Sequence, residues 1–292
     1  MSFNVKKPEP GVYDGLPIQT YFDAPGVSRS TLMRLEDGTP KDLRHYMDHG
    51  IQETDAMRLG SAVDMLVFEP ELWTTEAAVR PAFGRSKADQ TAKAEWEDAN
   101  AGRLQVTESQ YELACRMAEA VQSAKAVRGL MDGATAQRSL WWREDDGLYK
   151  TRPDAVNEGK GWTFDLKTTH SLKDRDLATK VVDYGYEVQA AMACSATKAA
   201  GLDWRAHVIV WVSKTDPIDV RCTTIEYGDN WHLLGEARFL RLARAYQTAM
   251  KERTWEGHSS DLQPLPMPKW VGHKLADEQQ LNEAQMRRMV TL

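Results

Sequence analysis

Residues 150–169 read KTRPDAVNEGKGWTFDLKTT. Side chains alternate between the two faces of a strand, so Lys150, Arg152 and Asp154 fall on one side of a first strand. On a second strand Trp162, Phe164 and Leu166 make an apolar face, while Thr163, Asp165 and Lys167 make a polar one. A turn at 157–161 folds the two strands together and brings Asp154 close to Asp165 and Lys167. Two carboxylates held side by side repel each other unless a proton or a cation intervenes. Ligation by oxygen alone selects magnesium, with manganese as a substitute, over zinc. Lys167, on the same face, can orient a water and offset charge on a phosphate. Pro153 cannot donate to a ladder and marks an edge or bend beside the pair. The D-x10-D-x-K pattern is short, and a solvent-facing hairpin with ordinary charge alternation satisfies it as well.

Before this hairpin the chain reads as helical. Residues 1–27 are rich in Pro and Gly and read as an extended lead-in. Ser28 or Ser30 caps a short helix through Leu32 and Leu35, and Pro40 opens a second that Gly50 ends. A longer helix runs from Thr54 to Glu69 and stops at Pro70. Residues 80–103 read as a loop with a short polar helix, and Thr107-Glu108-Ser109-Gln110 is a capping box opening a helix towards Leu130. Strands then follow at Ser139–Glu144 and Leu148–Val156, joined by the turn Asp145-Asp146-Gly147, and at Trp162–Thr169. After them come a helix of about 25 residues from Leu172 to Ala200 and a buried strand at Trp204–Val212. A strand at Ile218–Glu226 and a long helix at Asp229–Glu256 complete the pattern. That order defines an α/β fold with a central mixed sheet flanked by helices and an N-terminal helical portion. The chain divides into an extended segment 1–27, a mainly helical portion 28–135, a sheet-containing core 136–256 and a tail 257–292, within a single domain.

Composition narrows the function. With 292 residues and 42% hydrophobic side chains the chain can build a core, which excludes global disorder. A net charge of −6 excludes a uniformly basic nucleic-acid coat but leaves room for a local basic groove. No apolar run reaches the length of a membrane span, and MSFNVKKPEPG lacks the apolar stretch of a signal peptide. Cys115, Cys194 and Cys222 are far apart, against a disulfide framework, a zinc knuckle or a four-cysteine iron–sulfur site. The expectation is a cytoplasmic enzyme with no membrane partner.

Asp64 adds to the hairpin. It lies within Ser61-Ala62-Val63-Asp64-Met65-Leu66-Val67-Phe68, an otherwise apolar helical run. An ionised Asp buried there without a partner would cost several kcal/mol, so a cation, a basic partner or exposure must compensate. A third metal-facing carboxylate is one solution, and a rim position in water is another.

Several ordered motifs carry a family resemblance. Gly60-Ser61-Ala62-Val63-Asp64 with Phe68-Glu69-Pro70, Arg152-Pro153-Asp154, Asp165-Leu166-Lys167-Thr168-Thr169, and Tyr184-Gly185-Tyr186 with Gln189-Ala190-Ala191 resemble the RecE-type exonucleases, the exonuclease VIII family of the PD-(D/E)XK nuclease superfamily. The similarity extends from Ser28–Leu35 to Pro268-Lys269-Trp270. The resemblance implies a phage or prophage exonuclease that is metal-dependent and degrades linear double-stranded DNA 5′→3′. It also implies a homo-oligomeric ring and a RecT-like single-strand annealing protein that receives the 3′ strand. Residue by residue, Asp154 and Asp165 match the metal-binding acids, Lys167 the catalytic lysine, and Leu166 a backbone carbonyl on the metal. Gln189 matches a glutamine that supports the site from the following helix. Three positions depart from the pattern: Asp64 stands where the family usually has His, Gln137 where it has Glu, and Ala193 where it has an aromatic residue. These departures motivate the alternative of a weakened nuclease acting as a DNA-binding or assembly factor.

Two stretches are locally basic: 80–93, with Arg80, Arg85, Lys87 and Lys93, and 238–253. The first lies between helices, where binding residues gather, and reads as the DNA contact. The second reads as a solvated helix face. Arg152 and Thr168, beside the acidic pair, complete the candidate DNA contacts.

Overall fold

Thr39, Thr54, Ser86 and Thr107 each stand one residue ahead of a helix, and each side chain accepts a hydrogen bond from the N–H three residues on. Asp42, Asp89 and Gln110 return that bond to Thr39, Ser86 and Thr107, closing three capping boxes. The computed structural model describes residues 3–36 and 38–265. Met1–Glu256 forms one compact unit and Gly257–Leu292 a second. Residues 257–265 of the second carry no helix or strand, and Pro268-Lys269-Trp270 lies outside the described residues.

The first unit begins with β1 (Gly11–Tyr13), α1 (Ile18–Asp23), α2 (Arg29–Leu32), α3 (Pro40–His49), α4 (Asp55–Phe68) and α5 (Trp73–Glu76). It continues through β2 (Ala77–Arg80), α6 (Lys87–Ala99), β3 (Leu104–Thr107), α7 (Glu108–Ser123) and α8 (Lys125–Met131). Then come β4 (Thr135–Ala136), β5 (Ser139–Glu144), β6 (Gly147–Thr151), β7 (Ala155–Asn157) and β8 (Trp162–Thr169). The last elements are α9 (Asp174–Tyr184), α10 (Tyr186–Ala199), β9 (Ala206–Ser213), β10 (Val220–Glu226) and α11 (Asn230–Glu252).

The central sheet runs β10-β9-β8-β7-β4 and is mixed. β8 and β9 are parallel, which requires a crossover, and α9 with α10 supplies it. Both faces of the two strands are buried. Phe164, Leu166, Val208, Val210 and Val212 pack against Leu59 and Val63 of α4 and Met117 and Val121 of α7. On the opposite face Ile209 and Trp211 pack with Leu177 and Val181 of α9 and Ala190 of α10. Each such side chain contributes about 1.5–3 kcal/mol on burial. The effect is to clamp β8, and with it Asp165 and Lys167, between two helical layers.

Five expectations need correction. Residues 1–27 are not simply extended: β1 pairs with β5, and α1 follows it. Residues 80–103 hold a full helix, α6, and the stretch is framed by a parallel β2–β3 pair. The helix after Thr107 breaks at Ala124, whose backbone is extended (ψ 123). The stretch 148–156 is two strands, because Pro153 interrupts pairing: β6 pairs with β5, whereas β7 pairs with β8 and β4. The helix expected over 172–200 is two helices, separated by Gly185 in the left-handed conformation (φ 64, ψ 41).

Candidate active site

Asp154 sits in the bend between β6 and β7, one residue before the ladder that pairs Ala155 with Phe164. Antiparallel pairing there lays Asp154 across from Asp165 and Leu166, and its Oδ2 accepts a hydrogen bond from the Leu166 N–H at 2.6 Å. Asp165, 2% exposed, is held on several sides. Its Oδ1 accepts from Lys167 Nζ at 2.8 Å and from Gln189 Nε2 at 2.6 Å, and its Oδ2 lies 3.3 Å from His207 Nε2. That last contact lacks hydrogen-bond geometry, which leaves Asp165 Oδ2 and His207 Nε2 both unpartnered.

Asp64 reaches the same place from α4. Its Oδ2 accepts from Gln137 Nε2 at 2.9 Å, while its Oδ1 is out of solvent with no partner. The structure therefore brings together Asp64 of α4, Asp154 of the β6–β7 bend, Asp165 and Lys167 of β8, and Gln189 of α10. Lys150 is elsewhere: its ammonium donates to the carbonyls of Tyr21, Phe22 and Ala24.

The charges sort themselves by neighbour. Burial pushes the Asp64 carboxyl up to about 7, with Lys167 opposing and Asp165 adding to the rise. Burial, then the charges of Asp64 and Asp165, raises Asp154 well above the ordinary carboxylate range. Asp165 goes the other way: burial alone would raise it, but the Lys167 ammonium and its hydrogen bond, with His207 and Arg29, together bring it below the ordinary range. Burial opposes the charge of Lys167, but Asp165 and Asp154 outweigh it and keep the amine protonated. Burial drops His207 to about 4, so the imidazole behind Asp165 is neutral near pH 7.

These donors suit a hard divalent ion in kind. All are oxygens, two buried carboxylate oxygens lack a hydrogen-bond partner, and mutual repulsion would be relieved by a cation. Among the described residues no three carboxylate, imidazole or thiolate groups converge as a ready-made metal site. Asp64, Asp154, Asp165 and the Leu166 carbonyl remain the candidate ligands.

The DNA candidates are dispersed. Arg80, at the end of β2, lies 3.5 Å from Glu97. Arg80 and Arg85 line a cleft of about 560 Å³ together with Phe83 and Lys93, and Lys87 opens α6 beside it. None of the five clustered residues lines that cleft. Thr168 follows Lys167 on β8, half-buried. Arg152 is tied inward, donating to Gln137 Oε1, the Leu16 carbonyl and Ser139 Oγ, which makes it a support for Gln137. In the second basic stretch Arg238 is buried against Glu187 and Glu36, and Arg241 pairs with Glu36, so that face is not simply solvated.

His207 escaped the sequence reading. It stands in an apolar strand, and only the parallel register, Thr163 opposite His207, sets it behind Asp165. Thr163 Oγ1 contacts His207 Nδ1 at 3.0 Å and accepts from Trp204 Nε1 at 3.1 Å. Arg29 was also missed; its guanidinium lies 5.6 Å from the Tyr186 ring centre, and the Lys167 ammonium lies 5.4 Å from it.

A mixed sheet between helices, with P-D in the bend leading into one strand and D-x-K on that strand's antiparallel neighbour, is the arrangement of the PD-(D/E)XK nuclease superfamily. Over residues 28–263 the chain matches the family described as "PDDEXK-like domain of unknown function (DUF3799)", and it belongs to that family. In fold it is similar to a candidate exonuclease from Eubacterium rectale, with a TM-score of 0.60 at 14% identity over 87% of this chain and 96% of that one. A phage-related exonuclease from Haemophilus somnus is a looser likeness (TM-score 0.36, 15% identity, 79% of this chain and 97% of that one). So is an alkaline exonuclease from Laribacter hongkongensis (TM-score 0.33, 12% identity, 78% and 90%). No curated protein sequence matches the chain.

Proposed function

We propose that this chain is a metal-dependent exonuclease that hydrolyses phosphodiester bonds of linear double-stranded DNA. The observation that carries the reading is the grouping of Asp64, Asp154 and Asp165 around a protonated Lys167, with Asp64 Oδ1 and Asp165 Oδ2 left without partners. A magnesium or manganese ion, when bound, supplies Lewis-acid activation of water and neutralises charge on the phosphate. The chain's own groups do the rest. Gln189 fixes Asp165 by one oxygen, and His207, neutral, closes off its other side. Lys167, one strand position-pair beyond Asp165, holds a positive charge where the attacked phosphate's charge grows.

Digestion 5′→3′, release of a 3′ strand to a RecT-like annealing protein, and a ring that encircles DNA are the finer parts of the proposal. They are supported by the resemblance in the ordered motifs quoted for the exonuclease family. The test is incubation with magnesium and linear duplexes labelled at the 5′ or the 3′ end, beside a closed circle. Early loss of the 5′ label as mononucleotides, with the circle intact, is the expected result. Cutting of the circle, or no digestion in magnesium or manganese, would overturn it. Light scattering after size exclusion reads the ring.

A further inference from the structure

Tyr184 and Tyr186 are two residues apart and would lie about 200° apart around an uninterrupted helix, on opposite faces. In the structure their rings stack, with centres 5.7 Å apart and planes at 28°. Gly185 makes this happen. Its left-handed backbone ends α9 and starts α10, so the two tyrosines turn to the same side. A Cβ added at Gly185 would sit 2.5 Å from Met33 Sδ, so both the conformation and the space require glycine.

The stack leads outward from the carboxylate site. Lys167 lies over Tyr186, and Tyr186 stacks on Tyr184, which is 53% exposed. Cations flank both rings. Arg29 lies over Tyr186 and donates to the Tyr184 carbonyl at 2.5 Å, and Lys180, one turn before Tyr184, lies 5.6 Å from its ring centre. An accessible aromatic face bordered by cations, continuous with a phosphate-hydrolysing centre, has the chemistry that holds a nucleotide strand. A base within a duplex is already stacked on its neighbours, so the occupant must be unpaired.

We propose that Tyr184 and Tyr186 form a stacking step for an unpaired nucleotide of the DNA strand entering the site, with Arg29 and Lys180 meeting its flanking phosphates. The step rests on the nuclease reading for its substrate, but binding can be read without cleavage.

The experiment measures fluorescence anisotropy in EDTA with labelled oligothymidylate of about twelve nucleotides, and with an abasic strand of equal length and charge. The parent protein should prefer the strand that carries bases. Tyr184→Ala should weaken its binding about tenfold and leave binding of the abasic strand unchanged, and Tyr184→Trp should restore the preference. If the parent does not distinguish the two strands, or Tyr184→Ala binds both as the parent does, the step is wrong. A parent that digests linear duplex while Tyr184→Ala binds and digests equally well removes the step and keeps the proposed function. A parent that binds through Tyr184 but cuts nothing in magnesium or manganese keeps the step and removes the nuclease.

Discussion

Gln137 joins Arg152 to Asp64: it accepts from Arg152 Nε at 3.0 Å and donates to Asp64 Oδ2 at 2.9 Å. It does so from a left-handed backbone, φ 50, uncommon for a residue other than glycine. Its N–H donates to the Asp154 carbonyl at 2.8 Å, which pins that conformation beside the site. A glutamate here would satisfy Arg152 but could not donate to Asp64. Gln137→Ala should therefore lower stability by roughly 1–3 kcal/mol, by orphaning both partners. Urea denaturation measures this, and an unchanged midpoint would show that water replaces the amide.

Lys167→Ala and Asp165→Asn should each reduce DNA cleavage by at least about a hundredfold while the fold survives. Initial rates on end-labelled duplex, with circular dichroism beside them, decide it. A variant that cuts at the parent's rate removes its residue from the chemistry.

The pH dependence of the metal-free protein follows from Asp64 and Asp154, which bind a proton more tightly folded than unfolded. The stability they allow is present in full below about pH 4 and falls as pH rises through about 7, where Asp64 ionises. Asp165, held below its ordinary range, is lost only on acidification below that window. Urea midpoints in EDTA should fall between pH 4 and 7, and Asp64→Asn should flatten the fall. A midpoint rising across that interval would contradict the arrangement.

On the proposed metal-dependent mechanism, magnesium should raise the melting temperature by mass action, because an ion that binds the folded site and not the unfolded chain stabilises the fold. Asp64→Ala should lose most of that rise, and Asp64→His should keep part of it. Calcium should support DNA binding without cleavage, since its looser coordination misplaces the attacking water. Differential scanning fluorimetry reads the first two effects, and full cleavage in excess EDTA would defeat the metal requirement.

Removing Arg85 and Lys87 together should weaken binding to every DNA sequence alike and reduce the salt-dependence slope by about two. Binding titrations at several salt concentrations measure it. An unchanged slope would leave the cleft beside α6 without a role in DNA contact.

Much of this site was legible because its logic is local. Asp154 and Asp165 flank one short turn, so a period of two brings them together without knowledge of the rest of the fold. Some helix starts were equally plain: Pro40 marks a first turn, Thr54 precedes the next helix, and the capping box Thr107-Glu108-Ser109-Gln110 opens α7. What stayed hidden depends on partners far away. β1 is three residues long and exists because β5 pairs with it. His207 looks like any core residue until a strand separated from it by a helical crossover sets its register. Gly185 lies in a run that reads as continuous helix, and the neighbour that forbids a side chain there, Met33, is about 150 residues upstream.

The family match begins at residue 28, yet folding does not respect that boundary. The buried Lys150 ammonium has its acceptors on Tyr21, Phe22 and Ala24, and Arg152 takes the Leu16 carbonyl at 2.6 Å. Phe3, Tyr13 and Tyr21 pack on Trp141. A chain trimmed to the matched region would strand an amine, weaken the grip on a guanidinium and bare an indole at once. Because Arg152 steadies Gln137, and Gln137 steadies Asp64, the damage would travel from the trimmed end to the cluster of Asp64, Asp154 and Asp165. The opening residues are a buttress, and the smallest functional piece of this protein is longer than its homology suggests.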